Sequence, residues 1–302
     1  MTHRTLDKPI ANLVSAQGLP GDFQDTVARW YVPLANNIAQ CHKGTPLVIG
    51  VQGSQGSGKS TLAQFLKLLL EQQHQLRCVE LSLDDFYLTL AERQKLAASV
   101  HPLFITRGVP GTHDVKLAID TINALISIEP SQDCAVPRFN KAVDDRFPTN
   151  EWDSVANPID IIIFEGWCVG VNAQTEADLL SPVNNLEQDE DPKAIWRHHS
   201  NQALEQDYAK LFSMLDKLVV LEAPSFECVY DWRWLQEQKL VAQWQRKHPD
   251  EPARLLDETS VRRFISHYER LTRHGFASLP TKADWLLSLN NQHEITNLVE
   301  RI

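Results

Sequence analysis

The sequence predicts an α/β protein on a doubly wound parallel sheet of about five strands, with a helical lid and an N-terminal helical extension. Three observations carry that expectation. Gly53-Ser54-Gln55-Gly56-Ser57-Gly58-Lys59-Ser60 is a complete G-x-x-x-x-G-K-[ST] phosphate loop. Short apolar runs alternate with longer stretches of helical periodicity, the pattern of successive βαβ units. Two of the apolar runs end in carboxylates, Asp84-Asp85 and Glu165, where open parallel sheets gather their ligands.

Residues 1–22 carry little pattern and end in the turn signal Gly18-Leu19-Pro20-Gly21. Phe23, Val27, Trp30, Tyr31, Leu34 and Ile38 then keep a helical spacing, so residues 1–44 read as an extension laid against the core. Leu47-Val48-Ile49-Gly50-Val51 reads as a buried parallel strand running into the phosphate loop. Leu62, Phe65, Leu66, Leu69 and Leu70 form one stripe of the helix that leaves it. In that setting backbone N–H groups of Gly53, Ser54, Gln55, Gly56, Ser57 and Gly58 can encircle an anion at a positive helix end. Lys59 is expected to reach the β- and γ-phosphates of a nucleotide, and the Ser60 hydroxyl to ligate Mg²⁺. Thr61 belongs to the same segment and packs at the helix start.

Residues 77–83 read as a second strand, ending in Asp84-Asp85-Phe86-Tyr87. One adjacent carboxylate can act as a base toward a substrate hydroxyl while the other orients magnesium or a partner; the plainer alternative is an Asp N-cap and its neighbour. The loop-rich stretch 101–114 holds Arg107 and His113 and precedes a helix near 115–127, which Asp114 can cap. The planar fork of Arg107 suits a carboxylate or phosphate. Arg138, Lys141 and Arg146 cluster within nine residues of an otherwise acidic chain, either as an anion pocket or as a solvated loop. Residues 159–164 form the clearest buried strand, and Glu165 at its end is placed as a second magnesium anchor.

Residues 171–200 are polar and acidic and read as a long insertion loop. A helix with Leu204, Tyr208, Leu211, Phe212 and Leu215 follows, then a strand at 217–221. Residues 225–275 form a helical lid region whose arginines include Arg233, Arg262, Arg263, Arg270 and Arg273; one or two of them could close over phosphates. A last strand at 284–289 leads to an expected short C-terminal helix.

The chain has 302 residues, 43% of them hydrophobic and 23% charged, ordinary figures for a globular protein. A net charge of −10 argues against a nucleic-acid partner, because phosphate backbones select basic surfaces. The five cysteines form no C-x-x-C pair, so no zinc site is expected. No apolar run approaches a membrane span, the N-terminus lacks the apolar stretch of a signal peptide, and a reducing cytoplasm fits best.

The succession of Gly53 to Ser60, Ser82-Leu83-Asp84-Asp85-Phe86-Tyr87 and Glu165-Gly166 resembles the phosphoribulokinase/uridine kinase group of phosphate-loop kinases. Within it the chain is most similar to the D-glycerate 3-kinase family. The carrying segments are Asp84 to Thr89, Arg107-Gly108-Val109-Pro110-Gly111-Thr112-His113-Asp114, Glu165-Gly166-Trp167 and Val229 to Glu237, and the resemblance spans roughly residues 25–290. It implies ATP- and Mg²⁺-dependent phosphorylation of a small hydroxy acid by in-line transfer. Asp84 would be the base and sit near the metal with Ser60 and Glu165. Lys59 and a lid arginine such as Arg233 would neutralise charge, while Asp85, Tyr87, Arg107, His113 and Arg146 would hold the acceptor. Uridine and pantothenate kinases carry Ser or Gly where this chain has Asp85. Pantothenate, a nucleoside or a sugar phosphate remain rival acceptors, and a regulatory ATPase acting through protein partners is the rival of another class.

Overall fold

The computed structural model describes residues 6–247 and 257–301. Residues 1–5 of the expected extension and 248–256 of the expected helical lid region lie outside the described residues. The chain opens with α1 (Asp7–Ala16). Then α2 (Phe23–Thr26) runs through a π-helical turn, Val27–Tyr31, into α3 (Val32–Cys41). The weakly patterned start is therefore partly helical: Ile10 and Val14, one turn apart, are its buried contacts.

Strand β1 (Leu47–Gly53) leads through the phosphate loop into α4 (Lys59–His74), and β2 (Cys78–Ser82) follows. Helices α5 (Leu90–Ser99) and α6 (Val115–Ile126) flank the loop-rich stretch. Short strands β3 (Asp133–Val136), β4 (Phe139–Asn140), β5 (Asp145–Arg146) and β6 (Asp153–Ala156) form two small antiparallel pairs, β3 with β6 and β4 with β5. The next elements are β7 (Ile161–Gly166), α7 (Glu176–Leu179), α8 (Asn185–Glu190), α9 (Ile195–Ala203) and α10 (Ala209–Phe212). The chain closes with β8 (Lys217–Glu222), α11 (Phe226–Lys247), α12 (Glu258–Ser278), β9 (Trp285–Leu289) and β10 (Ile295–Glu300).

The main sheet has six strands in the order β10-β9-β8-β1-β7-β2. Strands β2, β7, β1, β8 and β9 are parallel, and β10 joins the edge antiparallel to β9. The five expected strands are thus all present, with a sixth where a short C-terminal helix was expected. Only Ile295 of this strand is buried, and its pairing with β9 is irregular between Ile295 and Asn297, so the segment carries little strand signal of its own and forms as an edge strand against β9.

Because side chains alternate across a strand, one apolar run feeds two cores. Ile161 and Ile163 face α4 and the N-terminal helices, with Ile49, Val51, Val219, Leu221 and Leu287. Ile162 and Phe164 face α6 with Val79, Leu81, Val220 and Leu286. The sheet is covered on both sides, and its carboxyl ends are left for function.

The stretch 171–200 departs from the expected insertion loop and forms short helices. Its acidic residues are caps and ion-pair partners. Thr175 and Asp178 form a capping box, and Asn184 caps α8 at Glu187 N. Asp191 accepts from the backbone of Trp196 and Arg197 and pairs with the Arg197 guanidinium at 3.1 Å. Glu187, 1% exposed, pairs with Arg270 of α12 at 2.6 Å. That pair ties the segment to the helical region, so Arg270 is structural: removing one partner of a buried pair costs about 3–5 kcal/mol.

Candidate active site

The phosphate loop is shaped by close approach. A Cβ on Gly53 would stand 2.3 Å from Ser57 Oγ, and one on Gly56 would stand 2.9 Å from Trp232 Cβ on α11. Gly56 and Gly58 also have φ of +77° and +90°. Gly58 is the N-cap of α4 and no side chain caps the helix, so its first N–H groups face the loop unclaimed by a side chain. The Ser54 and Ser57 hydroxyls are buried without a hydrogen-bond partner. Two unpartnered hydroxyls beside uncapped N–H groups at a helix start fit a phosphate chain.

Beside this ring, Ser60 Oγ donates to Glu165 Oε1 at 3.0 Å, while Glu165 Oε2 is buried and unpartnered. Glu165 is 4% exposed, at the end of β7, the strand adjacent to β1. A hydroxyl and a buried carboxylate with a free oxygen are the hard donors that Mg²⁺ takes, alongside phosphate oxygens and water. The residues present therefore fit that ion. Among the described residues no group of three or more His, Cys, Asp or Glu side chains gathers into a metal cage.

Asp84 and Asp85 sit on a 3₁₀ turn, Leu83–Phe86, that ends β2, with Ser82 accepting from Asp84 N. The two neighbours face different surroundings. Asp84 Oδ1 accepts from Tyr87 OH at 2.7 Å and Oδ2 from Lys141 Nζ at 2.7 Å. Burial alone would raise the Asp84 carboxyl, but Lys141 and Lys59, with the hydrogen bonds from Lys141 and Tyr87, hold it well below the usual carboxylate range. Asp85 instead accepts from Phe139 N at 3.1 Å and from Arg138 at 2.8 Å. Burial pushes its carboxyl up, partly offset by Arg138.

The β4–β5 hairpin thus rests one foot on Asp85. Its other foot carries Arg146, which donates to Tyr87 O at 2.9 Å and to Asp114 at 3.4 Å. Its tip is anchored by Arg93, fully buried, whose guanidinium donates to Leu88 O, Ile105 O and Asp144 O. Arg93 and Arg107 both pair with the Asp144 carboxylate. Arg107 also lies 5.5 Å from the Phe139 ring centroid. Tyr87 is 3% exposed and stacks on His113 with ring centroids 4.5 Å apart. His113 is buried in turn, bonded through Nδ1 to Tyr208 OH, with Nε2 unpartnered. Burial lowers its pKa to about 3, so the ring is neutral at pH 7.

The structure gathers Lys59, Ser60, Asp84, Tyr87 and Glu165 at the carboxyl ends of β1, β2 and β7. It puts Arg107 and Arg146 around the hairpin and His113 beneath Tyr87. Arg233 follows Trp232, where α11 packs on Gly56, and pairs with Glu237 at 2.5 Å. Thr61 is partly buried at the start of α4. Sequence reasoning passed over Arg93, Asp144 and Tyr208. Their partners come from distant segments, and only the cluster of Arg138, Lys141 and Arg146 signalled that this region mattered.

The sequence signature of the Phosphoribulokinase / Uridine kinase family matches residues 48–199. The chain is 35% identical over 235 residues to "Uncharacterized kinase mug58" of Schizosaccharomyces pombe, covering 75% of this chain and 79% of that protein. It is 34% identical over 231 residues to the chloroplastic D-glycerate 3-kinase of Arabidopsis thaliana, covering 74% of this chain and 46% of that longer protein. The solved D-glycerate 3-kinase of Cryptococcus neoformans var. grubii superposes with a TM-score of 0.70 at 27% identity, over 92% of this chain and 98% of that one.

Proposed function

The chain belongs to the phosphoribulokinase/uridine kinase family, and on that premise we propose that it is an ATP-dependent kinase that converts D-glycerate to 3-phosphoglycerate. The observation that carries this reading is the Asp84 carboxylate, kept ionised beside the phosphate loop and ringed by cations. The likeness to two D-glycerate 3-kinases supports the choice of acceptor.

In this reading the backbone of Gly53 to Ser60 binds the nucleotide's phosphates, and Lys59 offsets charge that develops on the transferred group. Ser60 and Glu165 would hold Mg²⁺, which when bound supplies charge neutralisation at the phosphates. Asp84 takes the proton of the acceptor hydroxyl. Tyr87 fixes the orientation of Asp84 through Oδ1, so Oδ2, on which Lys141 rests in this structure, is the oxygen that would take the proton. Arg107 and Arg146 receive the acceptor's carboxylate, a match for guanidinium geometry. Arg233 neutralises charge from the α11 side. The reaction is in-line displacement at the γ-phosphorus with ADP leaving.

The test is ADP release by the purified protein with ATP and Mg²⁺ across a panel of D-glycerate, pantothenate, uridine and ribulose 5-phosphate. D-Glycerate is expected to give the highest kcat/KM. Turnover confined to another member of the panel would replace the acceptor and keep the kinase.

A further inference from the structure

Both oxygens of the Asp84 carboxylate are taken, by Tyr87 and by Lys141. A carboxylate so held has no oxygen free to receive a proton, and one partner must leave before it can act. The two partners differ in freedom. Tyr87 is buried, stacked on His113, edge-on to Phe139 and tied to His113 by a backbone bridge. Lys141 projects from the turn joining β4 to β5, and its side chain is 60% exposed. The hairpin beneath it is fixed by Asp85, Arg93 and Arg146. Its feet stay put while the lysine side chain can swing. Because the Lys141 side chain is mostly in water, it can leave Asp84 for another anion without the desolvation that a buried partner such as Tyr87 would face.

We propose that Lys141 is an acceptor-responsive cover on Asp84, which it leaves for the anionic group of the incoming acceptor. This rests on the reading of Asp84 as the base of a kinase. The carboxylate of a hydroxy acid draws Lys141 away and exposes Oδ2 to the hydroxyl of the same molecule. The hydroxyl proton passes to Asp84 as the acceptor oxygen bonds to the γ-phosphorus. The bond from that phosphorus to the β,γ-bridging oxygen breaks, and its electron pair leaves with ADP. A neutral polyol and water each offer an O–H but no anion, so both meet a covered base. Lys141 is then a specificity-determining residue: it makes freeing of the base conditional on the acceptor's charge. It also suppresses loss of the phosphoryl group to water when no acceptor is bound.

The test compares wild type, Lys141→Met and Lys141→Arg in three reactions: D-glycerate, glycerol, and ATP with no acceptor. Lys141→Met is expected to raise the KM for D-glycerate roughly 10-fold or more and to raise acceptor-free ATP hydrolysis. The ratio of kcat/KM for D-glycerate over glycerol should fall at least about 10-fold, and Lys141→Arg should restore most of it. A purely structural lysine would lower both acceptors by one factor and leave the ratio unchanged, which would overturn the proposal. If wild type fails to turn over D-glycerate, that acceptor is wrong, but the cover is still decided by hydrolysis. Faster acceptor-free ATP hydrolysis in Lys141→Met supports it, and an unchanged rate refutes it.

Discussion

The two halves of the site are built by opposite means. The proposed nucleotide side is a continuous run, residues 53–61, in which backbone N–H groups and glycine conformations would do the recognising. The proposed acceptor side is assembled from side chains of three separate segments, 84–87, 107–114 and 138–146, joined by ion pairs and one buried arginine. A backbone cradle tolerates change in its side chains but not in its glycines. A side-chain clamp is the reverse: its specificity lies in the side chains, so it can be retuned for a different acceptor while the loop stays the same. That difference explains how one family can keep a phosphate loop and vary what it phosphorylates.

Each half can be broken separately. The largest effect is expected from Asp84→Asn, which keeps the shape and removes proton acceptance; kcat should fall roughly 10²–10⁴-fold with ATP affinity unchanged. Its neighbour is the control. Asp85→Asn should lower stability and leave kcat far less affected, because Asp85 is engaged by Phe139 N and Arg138. Steady-state kinetics of both variants with calorimetric Tm checks the split, and equal losses of kcat would erase it.

Lys59→Ala should lower kcat by about 10²–10³-fold, as expected for one group stabilising charge in the transition state. Its circular dichroism spectrum and Tm should stay at wild-type values, since the loop is shaped by backbone and glycines. Unfolding of this variant would show that the nucleotide side also depends on its side chains.

Arg107→Ala belongs to the acceptor half and should raise the acceptor KM roughly 10- to 100-fold, the loss of one charge-assisted contact, with little change in kcat. Raised KM for ATP instead would assign Arg107 to the other half.

The smallest effect concerns pH. The folded pKa of His113 is lowered to about 3 by burial, against 6.5 for the free side chain. Below pH 6.5 the unfolded chain takes up a proton that the folded chain refuses. This contribution to stability is complete above pH 6.5 and is lost as pH falls toward 3, by up to about 1.4 kcal/mol per pH unit. Urea unfolding between pH 7 and pH 5 should show that slope, and His113→Gln should flatten it. An unchanged slope in the variant would mean that His113 titrates normally in the fold.

The same contrast decides what the sequence made legible. Four of the five parallel strands are near-continuous apolar runs buried on both faces, β2 alternates more, and each is visible because an apolar run and the helical spacing beside it are local signals. The phosphate loop is visible for the same reason. Strand β10 is half-exposed and short on apolar residues, so its signal is weak. The segment 171–200 reads as a long insertion loop because several of its acidic residues are caps and buried ion-pair partners, roles that composition does not display. Arg93 lies in a polar helix of ordinary appearance, and its complete burial depends on carbonyls from three other places. Asp84 and Asp85 are indistinguishable as letters. What separates them is Phe139 N and Arg138 on one side and Lys141 and Tyr87 on the other, and three of those four lie more than fifty residues away.

The fate of the γ-phosphoryl group separates a kinase from a hydrolase most directly. Phosphorus NMR of the wild-type protein with ATP, Mg²⁺ and D-glycerate follows ADP, inorganic phosphate and phosphomonoester in one sample. A phosphomonoester on the 3-hydroxyl of glycerate, growing in step with ADP, is the predicted result. ADP accompanied only by inorganic phosphate, at a rate indifferent to glycerate and to the other acceptors, would mark a nucleotide hydrolase and contradict it.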